Sequence, residues 1–249
     1  MYTKDSLIAQ LRDMLPSSAT VLMHSSCRSV GPMENGGDTL LDALCDYFSD
    51  GLVALPTHTW ALVNKKQPVY DVLETPTHLG VLPELFRTRK GVLRSWHPTH
   101  SIAAYGADAW DFLRGDEESL TPCGPGSAWG RLYERDAYVL LVGVELDRMT
   151  YFHCVEEMAD IPGRVDMEHP NRYVVIPPEG LRIAHQYFPH GSDSSHLFPK
   201  VDSEMLRCGA MTLHQLGDAT VRVVSARRSA DELLKILKHE PYVFGVPRP

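Results

Sequence analysis

The feature that most constrains the fold of this chain is an alternation. Short apolar runs, each ending in a polar turn, are separated by segments with helical spacing. Thr20-Val-Leu-Met23 runs into His24-Ser-Ser-Cys-Arg-Ser29, and residues 52–55 run into Pro56-Thr-His-Thr59. Between them, Asp38 or Thr39 is placed to cap a helix whose apolar face is Leu40, Leu41, Leu44, Tyr47 and Phe48. An earlier amphipathic helix is expected around Leu7, Ile8, Leu11, Met14 and Leu15, and a later one over 79–89, with Pro83 in its first turn. Residues 101–105 and 138–144 read as further strands, and 107–113 and 150–160 as helices. Strands alternating with helices predict an α/β fold, a three-layer body around a mixed, partly parallel sheet.

The C-terminal third has a different rhythm. Residues 172–176 and 181–187 flank Pro-Pro-Glu-Gly, and 211–224 contain Gly217-Asp218, both hairpin signals. Ser229-Ala-Asp-Glu232 has the form of a capping box opening a last helix through Leu233, Leu234 and Leu237. We therefore expect a single domain over 1–249, with a core at 1–165 and an antiparallel and helical portion at 166–249. A hydrophobic content of 43% over 249 residues is enough to bury a sizeable core.

Several classes of function are disfavoured by composition. Apolar runs such as 138–144 are far below the ~20 residues that cross a bilayer. The opening Met1-Tyr2-Thr3-Lys4-Asp5 lacks the apolar segment of a signal peptide. Cysteines at 27, 45, 123, 154 and 208 form no CxxC and suit a reducing compartment. A cytoplasmic protein without a membrane partner is expected. A net charge of −8, with basic residues unclustered, argues against nucleic acid.

Three constellations carry candidate chemistry. Ser25, Ser26 and Ser29, with Arg28 and Gly31, directly follow a strand; such a turn either presents hydroxyl and N–H groups to a phosphate or is an ordinary polar connection. His97 and His100 flank Pro98, which biases His97 away from the helical region, and histidines at strand edges are most often structural. On a helix, His153 is i, i+3 from Glu156 and i, i+4 from Glu157. A carboxylate on one ring nitrogen fixes the tautomer and leaves the other as a general base; a surface ion pair explains the spacing equally well at this point. His190, Asp193 and His196 lack the regular spacing of a zinc motif, so no metal is assigned. No GxSxG elbow supports a serine hydrolase.

Six segments in order then resemble the antibiotic N-acetyltransferase family, which includes the aminoglycoside 3-N-acetyltransferases. They are His24-Ser-Ser-Cys-Arg-Ser-Val-Gly31 with Gly36-Gly-Asp-Thr39, Leu55-Pro-Thr-His-Thr59, Thr75-Pro-Thr-His-Leu-Gly80, the 91–101 segment holding His97-Pro-Thr-His100, Tyr138-Val-Leu-Leu-Val-Gly-Val144, and Thr150-Tyr-Phe-His-Cys-Val-Glu156. The resemblance implies a fold distinct from the commoner GNAT acetyltransferases and acetyl transfer from acetyl-CoA to a primary amine, such as the 3-amino group of an aminoglycoside; the transfer is expected to be direct because no cysteine is clearly paired with a base. It implies His153 as base with Glu156, and Glu157 as second choice; His97 and His100 would line the cleft. Ser25, Ser26, Arg28, Ser29 and Gly31 would meet the cofactor, as would Ser127, although Ala128 stands where the family has proline. Asp71, Asp147 and Glu157 are candidate contacts for a cationic substrate. The rival readings are a CoA- or small-molecule-binding homologue with weak turnover and a metal-dependent hydrolase. A homo-oligomer is compatible with all three.

Overall fold

The computed structural model describes residues 1–191 and 193–245. Its main sheet has seven strands: β1 (Thr20–Ser25), β2 (Leu52–Pro56), β4 (Leu93–Arg94), β5 (Ile102–Tyr105), β6 (Tyr138–Val142), β9 (Met211–Leu216) and β10 (Ala219–Ser225). Their spatial order is β4-β5-β2-β1-β6-β10-β9. The central trio is parallel, β1 pairing with β2 on one side and with β6 on the other, and the flanking pairings are antiparallel. The mixed α/β sheet expected from the sequence is present.

Period-two side-chain alternation explains why these strands are apolar throughout. Val21, Met23, Leu140 and Val142 enter one core, against α1 (Lys4–Arg12), α2 (Gly37–Tyr47) and α3 (Val81–Arg87). Leu22, Val139 and Leu141 enter the other, against α5 (Ala128–Glu134), α6 (Tyr151–Met158) and α8 (Ala226–His239). With helices on both faces, each parallel strand is buried on both sides and carries no polar face. The short α4 (Ala109–Leu113) packs against β4 and β5, and α7 (Asp202–Arg207) against β9.

A second, smaller sheet consists of β3 (Val69–Asp71), β7 (Asn171–Ile176) and β8 (Ile183–Tyr187), with its own cluster of Tyr70, Tyr173, Val175 and Tyr187. The two C-terminal hairpins therefore part company. The one turning at Gly217-Asp218 extends the main sheet, and the one turning at 177–180 joins β3.

Local corrections have local reasons. The last helix is capped by Ser225, whose hydroxyl accepts from the Arg228 N–H; Ser229 lies inside the helix and donates to the Ala226 carbonyl. Thr39 accepts from Asn35 N–H rather than capping α2, which begins at Gly37. Strand β6 stops at Val142 because Gly143 turns with φ +64°, where a Cβ would lie 2.3 Å from that of Ser29. Only glycine lets the chain leave the sheet this close to the 26–29 turn.

Candidate active site

The carboxyl ends of the parallel strands converge on one cleft of about 430 Å³. His24 comes from the end of β1, His58 from the turn after β2, and Asp147, Arg148 and Thr150 from the turn after β6. Open α/β sheets place ligands at this edge because the loops there diverge and leave a crevice. The lining also takes in His100, Tyr187 at the end of β8, and Pro189, His190, Asp193 and Ser195.

Helix α6 delivers the most organised group. It opens one residue after Thr150 and ends at Met158, with Asp160 in the left-handed conformation (φ +50°) before Pro162. His153 lines the cleft, and its Nδ1 lies 2.9 Å from Glu156 Oε2, one helical turn on. Glu156 is fully buried, where an uncompensated carboxylate is costly. Compensation comes from Arg164, whose Nη2 is 2.9 Å from Oε1, and from the Ser194 hydroxyl, which donates at 3.0 Å to Oε2. With Nδ1–H given to the carboxylate, the ring presents Nε2 as an acceptor. Burial holds His153 below its ordinary value of 6.5, and the Glu156 hydrogen bond partly offsets this.

Glu157 faces another way. It accepts from Thr121 Oγ1, from the Cys123 N–H at 3.0 Å and from His190 Nε2 at 2.7 Å. Cys123, Glu157 and His190 bring potential ligand atoms within 4.8 Å of one another, the group of that kind found among the described residues. The triplet weighed from sequence is not assembled: His190 is engaged by Glu157, and Asp193 accepts from the backbone and hydroxyl of Ser195.

The cleft wall is rich in imidazole. His24, His58, His100, His153 and His190 all line it. Trp129 of α5 backs this wall, its ring 5.7 Å from His58 and its Nε1–H donating to the His100 carbonyl. Desolvation pushes His24 down to about 3, and desolvation with neighbouring imidazoles pushes His58 and His100 well below 6.5. These rings are neutral near pH 7.

Other sequence candidates fall in different places. Ser25 lines a smaller adjoining cleft of about 180 Å³ that shares His24, Leu79 and Arg148 with the first. Ser26 and Ser29 hydrogen-bond to each other at 2.9 Å, and Arg28 is exposed within the short 3-10 turn Cys27–Val30. Gly31 is a backbone requirement: φ is +89°, and a Cβ would sit 2.1 Å from the Asp218 carboxylate. Asp147 lines the cleft beside Arg148. His97 does not line it; it is 1% exposed, and its Nδ1 accepts from the N–H groups of Thr99 and His100, so it shapes the loop that carries His100. Ser127 is the buried cap of α5, accepting from Trp129 N–H and donating to the Gly124 carbonyl. Asp71 closes a turn through the N–H groups of Leu73 and Glu74. Glu157 stands behind His190 rather than in the lining.

Sequence reasoning gave no role to His24, His58, Trp129, Arg148, Arg164 or Ser194. His58 has a signal: like His24, it sits in the polar run just after a buried strand. Arg164 and Ser194 meet Glu156 only through tertiary folding.

The mixed sheet thus brings a buried imidazole–carboxylate pair to a cleft at the carboxyl ends of its parallel strands. The sequence profile of the aminoglycoside 3-N-acetyltransferases matches residues 22–238, and the chain belongs to that family. It is 29% identical to the SPbeta prophage-derived aminoglycoside N(3')-acetyltransferase-like protein YokD of Bacillus subtilis (strain 168), over 92% of this chain and 90% of that protein. It is likewise 29% identical to aminoglycoside N(3)-acetyltransferase IV of Salmonella sp., over 99% of this chain and 91% of that enzyme. The crystal structure of aminoglycoside acetyltransferase AAC(3)-IVa as apoenzyme superposes with a TM-score of 0.84 at 28% identity, covering 99% of this chain and 92% of the other. A structure of AAC-IIIb in a binary complex with CoASH gives 0.81 at 28% identity, covering 100% and 99%.

Proposed function

We propose that this chain transfers an acetyl group from acetyl-CoA directly to a primary amine, and that His153, oriented by Glu156, is the proton acceptor. The single observation that carries the reading is the His153–Glu156 pair at 2.9 Å, with its ring in the wall of a cleft of about 430 Å³. Membership of the aminoglycoside 3-N-acetyltransferase family and the CoASH complex of AAC-IIIb support acetyl-CoA as donor; the names of the relatives make an aminoglycoside amine the acceptor to test first.

A protonated amine has no lone pair for attack, so the cleft must take its proton. A neutral imidazole beside it does this, and burial keeps His153 neutral near pH 7. The amine nitrogen then bonds to the acetyl carbon and gives up a second proton as the carbon–sulfur bond breaks; the departing thiolate takes one proton to leave as CoA thiol, and the other passes to solvent. Glu156 stabilises the imidazolium through Nδ1–H, while Arg164 and Ser194 hold the carboxylate in register. Ser25 and Arg148, in the adjoining smaller cleft, are assigned to the donor's arm. Cys154 takes no part as an acetyl carrier: it is buried on α6, and burial pushes its thiol well above the ordinary range.

No helix among the described residues is long and apolar enough to cross a membrane. We assign the protein to the cytoplasm, where its proposed donor is made and used.

The testing experiment is thiol release from acetyl-CoA with a panel of aminoglycosides and simpler amines. Amine-dependent CoA release with a matching acetylated product is expected. Acetyl-CoA binding without release for any amine would leave a binding protein, and chelator-sensitive hydrolysis would favour the metal reading.

A further inference from the structure

We propose that Cys123, Glu157 and His190 form a binding site for a divalent ion of the zinc class, which ties three separate segments of the chain together behind the lining of the cleft.

The first observation is a convergence of three unlike donors. Cys123 belongs to the turn before α5, Glu157 to the last turn of α6, and His190 to the chain that follows β8. The three are 34 and 33 residues apart in sequence, so only the finished fold assembles them. Their thiol, carboxylate and imidazole atoms lie within 4.8 Å of one another. Tetrahedral zinc with one sulfur, one nitrogen and one oxygen ligand sets those atoms about 3.4–3.6 Å apart, so shifts of about 1 Å close the site. A thiolate and an imidazole favour a borderline-soft metal over magnesium or calcium, which take oxygen ligands. One thiolate and one carboxylate also cancel the two positive charges, which suits a buried ion.

The second observation is burial. Cys123 is fully buried, and the side chains of Glu157 and His190 are 4% and 12% exposed, which sets the group apart from a solvated acidic patch. Hydrogen bonding alone accounts for only part of it. Glu157 receives the His190 Nε2–H and the main-chain N–H of Cys123, and neither contact uses the thiol. On binding, the thiol loses its proton and the Nε2 proton of His190 moves to Nδ1, which frees Nε2 for the ion. The Cys123 N–H keeps its hold on the carboxylate, the kind of outer contact that orients a ligand. Of the three residues, only His190 lines the cleft, so the ion sits behind the lining and its work is to cross-link. It joins the loop before α5, the helix that carries His153, and the segment after β8, with a water in the fourth position.

The test uses the full chain, dialysed free of metal against a chelator and titrated with Co²⁺, Zn²⁺ and Mg²⁺. One Co²⁺ per chain is expected, with a near-ultraviolet thiolate-to-cobalt absorption, displacement by Zn²⁺ and no response to Mg²⁺. Zn²⁺ at a hundredfold excess over its Kd should raise the melting temperature by about 5 °C or more. Cys123→Ser should abolish the absorption and weaken Zn²⁺ binding about a hundredfold or more, with a metal-free melting temperature close to that of the metal-free parent. Cys208→Ser, at the exposed thiol, should change none of these. Zinc-edge X-ray absorption of the loaded parent gives the same answer without a variant: one sulfur neighbour is expected, and a shell of nitrogen and oxygen alone would overturn the proposal. So would a parent that takes up no stoichiometric Co²⁺ or Zn²⁺, or an absorption that survives in Cys123→Ser. None of these readouts requires turnover, so failure here leaves acetyl transfer untouched.

Discussion

The imidazoles of His153 and His190 lie side by side in the cleft lining, tilted with ring centroids 4.9 Å apart, yet each is bound to a different glutamate of one helix. Glu156 holds His153 and Glu157 holds His190, because adjacent helical side chains point about 100° apart. The first pair is the one proposed to take the amine's proton, while the second ties the chain around His190 to α6.

Glu156→Gln removes the charge that both orients His153 and faces Arg164. Breaking a buried ion pair from one side leaves the other charge uncompensated, at a cost of about 3–5 kcal/mol. We expect a large fall in turnover together with a lower urea midpoint. A variant with parent stability and parent turnover would refute the assigned role of this carboxylate.

How much of this was legible in the sequence divides along locality. The His153–Glu156 pair was readable because it needs only a helix and a spacing of three, and 150–160 contains no glycine or proline. The two-sided burial of β1, β2 and β6 was readable as unbroken apolar runs. Strand β3 was not, being three residues long and paired to β7 about a hundred residues away. Nor was α5, which follows a Pro- and Gly-rich stretch at 122–126 and owes its start to the cap at Ser127. His190–Glu157 lies 33 residues apart in sequence and is made by the fold alone. That Asp218 packs against Gly31 was likewise not legible, because the two are brought together by the fold alone.

The pH dependence of kcat follows from the direction of the His153 shift. Burial lowers its pKa, so the neutral base persists below 6.5 and activity is lost only as pH falls further. The acid limb of the kcat profile should lie below pH 6.5. Because Glu156 raises this pKa, Glu156→Gln should move the limb lower still. A limb at or above pH 7 would contradict the account.

Asp116 supplies a separate test, on stability. It is fully buried, its Oδ1 accepts from Ala128 N–H, and desolvation raises it from 3.8 to about 6. Below pH 3.8 the group is protonated in both states. Between about 4 and 6 the unfolded chain releases the proton while the fold retains it, so stability falls as pH rises, by up to about 3 kcal/mol. Asp116→Asn should flatten that part of the stability curve. The same slope in parent and variant would rule the carboxyl out as its source.

Thiol chemistry checks direct transfer. Cys208 is exposed, whereas Cys123 and Cys154 are buried with thiols pushed well above their ordinary value. Limited iodoacetamide treatment should alkylate Cys208 first and spare acetyl transfer, with no acetyl-enzyme seen by mass spectrometry. A trapped acetyl-cysteine would demand a two-step route.

The most direct measurement is CoA release by His153→Ala under saturating acetyl-CoA and amine, with acetyl-CoA affinity measured in parallel. Turnover should fall roughly 10²–10⁴-fold while acetyl-CoA binding stays near the parent value. Turnover within a few-fold of the parent, in a variant that still binds acetyl-CoA, would show that some other group takes the proton.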